Sequence, residues 1–315
     1  MPRIAIVGSG LIGRAWATVF SSHGFEVALH DVQPGAAEAA RDHIGRNLAE
    51  LAGYGLVEDP AGSLARIRVA AGLADVLDGV DLVQENGPET IEAKTALFAE
   101  MDRLTAPSTI LASSTSYIMA SRFTEGLAGR ARCLVAHPVN PPHLVPIVEL
   151  CPAPWTDPAV VERAKVLYEA AGQVPITLRK EVEGFVLNRL QAVLLAEAFR
   201  MVGEGVASAE DVDKTIRDGL GLRWSFMGPF ETIELNAPGG IPDYCARYGA
   251  SLAGTARESS RGDPFGPATV AAIMAEWPGV QSPERVAALS RWRDDRLAAL
   301  KAHKKAAPRK PVEKA

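Results

Sequence analysis

Short runs of apolar, often β-branched residues recur through the first half of the chain, each followed by turn residues and then by a longer amphipathic stretch. Arg3–Val7, Glu26–His30, Ile67–Ala70, Asp81–Glu85, Thr109–Ser113, Cys133–Ala136, Ile147–Leu150 and Val174–Leu178 read as strands. Between them, Arg14–His23, Pro34–Leu56, residues 85–101 and Asp157–Ala171 carry the three-to-four-residue spacing of helices, the last ending at Gly172. Alternation of this kind predicts a mostly parallel sheet covered by helices on both faces. After residue 178 the strand pattern stops. From Glu183 onward the spacing is helical, over Phe185–Gly203, Ser208–Gly219, Ile241–Leu252, Pro267–Ala275 and Pro283–Lys301, the second of these opening with the capping pattern SAED.

Length and composition leave this picture intact and narrow it. A chain of 315 residues is long enough for two domains, and 47% hydrophobic with 23% charged residues is ordinary for a globular protein. No apolar stretch approaches the ~20 residues of a membrane span. The N-terminus MPRIAIVGSG runs straight into a strand with no leader pattern, so the expected location is cytoplasmic, with no membrane partner. Thirty-three basic and 38 acidic residues give a net charge of −5, which argues against nucleic acid as a partner. Cys133, Cys151 and Cys245 lack metal-ligand spacing and are expected to be packing residues, with no metal site. The tail Lys301–Ala315 has six basic residues against one Glu, and reads as a frayed terminus or a basic arm.

The chemistry begins at the first turn. GSGLIG, Gly8–Gly13, lies between the first strand and the first helix, which is the context a dinucleotide fingerprint requires. Gly8 permits the tight turn, Gly10 lets a pyrophosphate approach the backbone, and Gly13 lets the helix pack close to the strand. The N–H groups of the turn and of Leu11 and Ile12 are left facing the anion. Asp31 ends the second strand 18 residues after Gly13, where a Rossmann unit places the acid that binds the adenosine ribose. An Asp there repels a 2′-phosphate, which favours NAD over NADP. The expected fold is therefore α/β, a Rossmann-type doubly wound sheet domain over residues 1–183 followed by an all-helical C-terminal domain over residues 184–315.

Farther along, VAHPVNPPHLVPIVE (Val135–Glu149) joins two apolar runs through a loop stiffened by prolines. Adjacent strands there would put Glu149 behind the His137 imidazole. Such a pair is either a structural hydrogen bond or a base with its orienting carboxylate. Ser116, in the hydroxyl cluster SSTS after the fifth strand, either bonds a substrate oxygen or caps a helix beginning near Met119. Glu89 and Lys94 read as a surface pair on their helix. Asn188 stands in the first turns of the helix leaving the domain junction. Arg223, within GLGLRWSFMGPFE, either clamps a carboxylate or makes an interhelix salt bridge, and its surroundings suit a binding loop better than a core helix.

Taken together, IVGSGLIGRAWA, Asp31, PE followed by Lys94, SSTS, VAHPVNPP, VEL, KEVEGFVLNRLQ, GPFET and RWRD occur in the order and spacing of one family. The chain resembles the 3-hydroxyacyl-CoA dehydrogenases, and most closely their λ-crystallin branch. That resemblance implies an NAD-dependent oxidation of the 3-hydroxyl of a small hydroxy acid, of the L-gulonate 3-dehydrogenase kind. The alternatives are a 3-hydroxyacyl-CoA or carnitine 3-dehydrogenase, or an NAD-binding crystallin-like structural protein. It also implies His137 as general base, Glu149 as its partner, Ser116 and Asn188 at the substrate's reacting oxygen, Glu89 and Lys94 in the dinucleotide site, and a homodimer formed through the helical domain. Arg223 stands where the acyl-CoA enzymes carry a small residue, and it favours a free carboxylate in the substrate.

Overall fold

The computed structural model describes residues 1–259, 262–277 and 282–307. All eight expected strands are present, as β1 (Arg3–Val7), β2 (Glu26–His30), β3 (Ile67–Val69), β4 (Leu82–Glu85), β5 (Ile110–Ser113), β6 (Cys133–Pro138), β7 (Ile147–Pro152) and β8 (Val174–Thr177). They form one sheet in the order β3-β2-β1-β4-β5-β6-β7-β8. Every neighbouring pair is parallel except β6 with β7. The order reverses between β1 and β4, and open sheets of this type bind ligands outside the carboxyl ends of the strands at such a switch point.

Helices α1 (Leu11–Ser22), α2 (Ala36–Gly53), α3 (Pro60–Ala65), α4 (Leu73–Leu77), α5 (Ile91–Leu104), α6 (Ser121–Thr124) and α7 (Pro158–Ala170) complete this part of the chain. Alternation along each strand feeds two cores, one on each face. In β1, Ile4 and Ile6 join Trp16, Phe20, Leu48 and Tyr168 on one side. Ala5 and Val7 join Val83, Phe98, Met101 and Phe123 on the other. Trp16, Phe20, Phe98 and Tyr168 are fully buried, each contributing roughly 1.5–3 kcal/mol or more by burial.

Two compact units emerge, Met1–Val186 with Ala287–Ala315, and Leu187–Val286. Among the described residues the second has only helices as regular elements, α8 (Leu187–Gly203), α9 (Ala209–Lys214), a π-helical turn at Thr215–Leu220, α10 (Gly221–Trp224), α11 (Pro229–Glu234), α12 (Gly240–Glu258) and α13 (Pro267–Glu276). Gly219–Glu231, expected as a loop, is thus mostly short helices. Cys133 and Cys151 are buried as expected, but Cys245 is exposed on α12 and is no packing residue.

The C-terminal stretch departs from the sequence expectation in one respect. Helix α14 (Pro283–Ala306) continues past Lys301, and from Ala287 onward it packs with the first unit rather than with the helical one. Ala298 is 3% exposed within the Ile4–Trp16 core. Around it, Tyr54 Oη donates to Asp295 (3.1 Å), Lys301 Nζ to the His143 carbonyl (2.7 Å) and Lys305 Nζ to the Gly55 carbonyl (3.2 Å). Two of the tail's lysines are therefore helix-borne anchors. Residues 308–315 of that tail lie outside the described residues.

An unpaired carboxylate at Ala298 would have to leave the core. Ala298→Asp is expected to cost about 2–4 kcal/mol and to release α14, read as a lowered urea midpoint and new proteolytic cleavage within 287–306.

Candidate active site

The glycine turn is held from behind. Gly8, at φ 90°, sits where an added Cβ would lie 2.7 Å from the Asn86 carbonyl oxygen, so only glycine lets β1 and β4 end this close. At Gly13 an added Cβ would lie 1.8 Å from the Gly8 carbonyl oxygen, whereas at Gly10 it would meet nothing within 4 Å. Gly13 is thus a packing requirement, and Gly10 fronts open space. Gly10 caps α1 with no side-chain bond to the N–H groups of the first turn, so those of Leu11, Ile12 and Gly13 remain for an anion.

Asp31 closes this turn. Its Oδ2 accepts from the Ser9 N–H (2.7 Å) and hydroxyl (2.9 Å), and its Oδ1 from the Gln33 N–H (3.0 Å). Burial opposes its ionisation, but these bonds outweigh burial and hold the carboxyl below its ordinary value. The acid is charged, half-buried and followed by exposed Val32 rather than a basic residue. The open space before Gly10, the uncapped first turn and the ionised Asp31 together fit a dinucleotide with a free ribose 2′-hydroxyl.

On the other side of the crevice lies a buried acid–base cluster that the sequence reading saw only in part. Lys94, 1% exposed, directs Nζ at both oxygens of Glu85 (3.0 and 3.1 Å) and lies 3.5 Å from Glu89. Glu85, itself buried, also accepts from the Ser113 hydroxyl (2.5 Å) and the Gly87 N–H (2.6 Å). Lys94 is therefore no solvated partner. It pairs with a buried carboxylate and leaves exposed Glu89 at the crevice. Glu89 accepts from the Thr115 hydroxyl (2.5 Å) and from the N–H groups of Ser116 (2.8 Å) and Tyr117 (3.3 Å). Burial again opposes ionisation, and the Thr115 bond, the Lys94 charge and the two N–H groups overcome it, so the Glu89 pKa is lowered.

That arrangement bears on the capping reading of Ser116. Helix α6 begins at Ser121, and Ala120 precedes it without a side-chain cap, so Ser116 caps nothing there. It sits exposed in the turn after β5, its backbone pinned by Glu89.

The antiparallel register of β6 and β7 sets His137 directly opposite Glu149. Directly paired residues present their side chains on the same face. His137 Nδ1 lies 2.8 Å from Glu149 Oε2, with the histidine 4% exposed and the glutamate fully buried. An ionised carboxylate only accepts, so Nδ1 carries the proton and Nε2 is the basic nitrogen. The other oxygen, Oε1, accepts from the Val186 N–H (2.9 Å). Delivering that N–H requires an unusual backbone. Gly184 (φ 75°) and Phe185 (φ 50°) are both left-handed, and Phe185 is a bulky residue where such a φ costs about 1–3 kcal/mol. Its ring is fully buried, 5.4 Å from the His137 ring. This kink also delays helix α8, expected from Phe185, until Leu187.

Asn188 follows on the first turn of α8, and Arg223 lies exposed on α10. Among the described residues no carboxylate is within ion-pair distance of Arg223, so the interhelix salt bridge is not formed. The reading from sequence passed over Glu85, Ser113 and Phe185. A carboxylate at the end of an apolar strand, and a glycine before Phe185, were the available signals.

A parallel sheet with a glycine turn, an acid after its second strand and a histidine–carboxylate pair at the strand ends is the layout of a nicotinamide-dependent oxidoreductase. The sequence matches 3-hydroxyacyl-CoA dehydrogenase, NAD binding domain, over residues 3–182 and 3-hydroxyacyl-CoA dehydrogenase, C-terminal domain, over residues 184–272. It is 40% identical to rabbit (Oryctolagus cuniculus) λ-crystallin over 95% of this chain and 96% of that protein. It is 37% identical to L-carnitine dehydrogenase of Pseudomonas putida over 79% of this chain and 77% of that one. Among solved structures, an NAD+-dependent dismutase, 5-formyl-3-hydroxy-2-methylpyridine 4-carboxylic acid 5-dehydrogenase, superposes with a TM-score of 0.85 at 28% identity, over 98% of this chain and all of that one. The chain belongs to the 3-hydroxyacyl-CoA dehydrogenase family, within its λ-crystallin branch, and its cofactor is NAD.

The two glycines separate structure from binding. Gly13→Ala is expected to lower unfolding stability by about 1–3 kcal/mol, measured in urea. Gly10→Ala is expected to leave the urea midpoint unchanged while weakening NAD+ binding, measured by titration calorimetry.

Proposed function

We propose that the protein oxidises the 3-hydroxyl of a small hydroxy acid with NAD+, and that L-gulonate is the substrate it handles best. The observation that carries this reading is the His137–Glu149 pair, buried at the carboxyl end of β6 with Nε2 left as the basic nitrogen. NAD+, when bound, supplies the hydride acceptor. Gly8, Gly10, Leu11, Ile12, Gly13, Asp31 and Glu89 hold it, with Lys94 acting through Glu89. Neutral His137 takes the hydroxyl proton at Nε2 as the C–H bond breaks. Glu149 keeps Nδ1 protonated and stabilises the imidazolium that forms. Ser116 and Asn188 donate to the oxygen as it becomes a carbonyl.

Substrate choice rests on Arg223. An exposed guanidinium without a carboxylate partner suits a free carboxylate, bound through two parallel N–H bonds. Exposed Trp224 and Phe226 beside it supply the aromatic faces that a quaternary ammonium would need, which keeps carnitine as the second reading. Likeness to λ-crystallin over nearly the whole chain favours gulonate. In the helical unit, Val202, Thr232 and Ala237 are the buried residues among those described, while Leu190, Val193, Phe230 and Leu252 are exposed. A unit with so little core of its own supports a homodimer formed through it. Among the described residues no helix is long and apolar enough to cross a membrane, and the expected compartment is the cytoplasm.

His137→Ala is expected to lower kcat by about 10²–10⁴ with NAD+ affinity retained. Turnover unaffected by the substitution would refute the base. Arg223→Met is expected to raise KM for L-gulonate with little effect on NAD+ binding, and equal KM values would remove the clamp. Nicotinamide fluorescence with L-gulonate, 3-hydroxybutyrate, carnitine and 3-hydroxybutyryl-CoA ranks the substrates, and no turnover with any of them would favour the structural-protein reading.

A further inference from the structure

We propose that the cleft walled by α1, α2 and α14 is a binding site for a small polyanion, a metabolite bearing two or more phosphate or carboxylate groups. The cleft holds about 750 Å³ and lies within the first unit. That volume is within the range of small-molecule sites, about 300–1,000 Å³, and exceeds what a single inorganic ion fills. Arg14 comes from α1, His43 and Arg46 from α2, and Arg291 and Arg293 from α14.

Here, among the described residues, the guanidinium groups of Arg14, Arg46 and Arg291 make neither ion pair nor hydrogen bond. The acids that share the cleft do not answer them. Asp294 is taken by Arg293 at 2.8 Å, and Asp295 accepts from Tyr54. Glu50 and Asp295 remain, two carboxylates against three unpaired guanidinium groups, since the Tyr54 hydroxyl brings no charge to Asp295. A guanidinium presents a planar fork of donors that matches phosphate and carboxylate alike, and three of them on three separate helices can grip anionic groups from different directions.

The neighbouring histidines register the same field. Burial, followed by Arg14 and Arg46, holds His43 below its ordinary value. Burial, followed by Lys301, His43, Arg293 and Arg14, pushes His143 down to about 4. Both rings are neutral near pH 7, so the positive charge of the cleft is that of its arginines and of Lys301. The residues that line the cleft do not include His137, Glu149 or Asp31, so the site is separate from the catalytic pair and stands whether or not the proposed substrate is correct. Leu11 and Arg14 do line it, which puts it next to the glycine turn.

The test is calorimetric titration of the full chain at low salt with pyrophosphate and with citrate, each in the absence and presence of saturating NAD+. One site per chain is expected. The Arg46→Gln/Arg291→Gln double variant, altered at two exposed positions, is expected to bind at least about tenfold more weakly while its NAD+ affinity is unchanged. Glu50→Gln is expected to bind more tightly. A preference for pyrophosphate identifies a phosphorylated ligand, and a preference for citrate a polycarboxylate. Binding of neither probe, or equal affinity in the parent and the double variant, overturns the proposal. So does parallel loss of NAD+ affinity in the double variant with displacement of the probe by NAD+, since the cleft would then be part of the dinucleotide site.

Discussion

One buried carboxylate, Glu149, organises the reactive end of the sheet. At full burial its two oxygens are both satisfied, one by His137 Nδ1 and the other by the Val186 N–H. Everything about this geometry follows from the single antiparallel pairing in an otherwise parallel sheet. A parallel neighbour would need a crossover of a dozen or more residues, whereas the short proline-bearing return brings residue 149 opposite residue 137. Because side chains alternate along a strand, a slip of one residue would send the carboxylate to the opposite face. The left-handed backbone at Gly184 and Phe185 is the local cost of completing that shell.

Across the crevice a second buried acid, Glu85, is handled by the same logic with different parts. Lys94, the Ser113 hydroxyl and the Gly87 N–H surround it. The consequence reaches the surface, because Lys94 also faces Glu89, and Glu89 fixes the backbone of Ser116. The ends of β4 and β5 are thus connected, through α5, by one short chain of charged hydrogen bonds. Strong bonds to charged groups in a low-dielectric interior suit such a task, since removing any member leaves its neighbour uncompensated.

Much of this was legible in the residues. GSGLIG, Asp31 and the alternation of strands with helices defined the first unit, because those signals are local and their spacing is set by backbone geometry. The His137–Glu149 pair was visible as two strands and a stiff return. What escaped detection depends on tertiary placement. Lys94 looks like a surface lysine because nothing in its helix reveals the acid at the end of β4. Phe185 reads as the start of a helix, since the glycine before it signals a turn without showing that the left-handed backbone extends to a bulky neighbour. Helix α14 is so highly charged that its thin apolar contact at Ala298 gives no clue to the surface it covers, and it was assigned to the wrong neighbour.

That return of α14 makes the helical unit an insertion within the first one rather than an appendage. During synthesis the sheet emerges early, but the helix that packs beside it is delivered only after about a hundred residues of the other unit. Until then, one flank of the nascent sheet domain is bare, including the surface around Leu48 and Leu51 that later packs with Ala298. Completion of the first unit therefore waits for residues beyond 287, and a ribosome stalled before them would carry an unfinished domain.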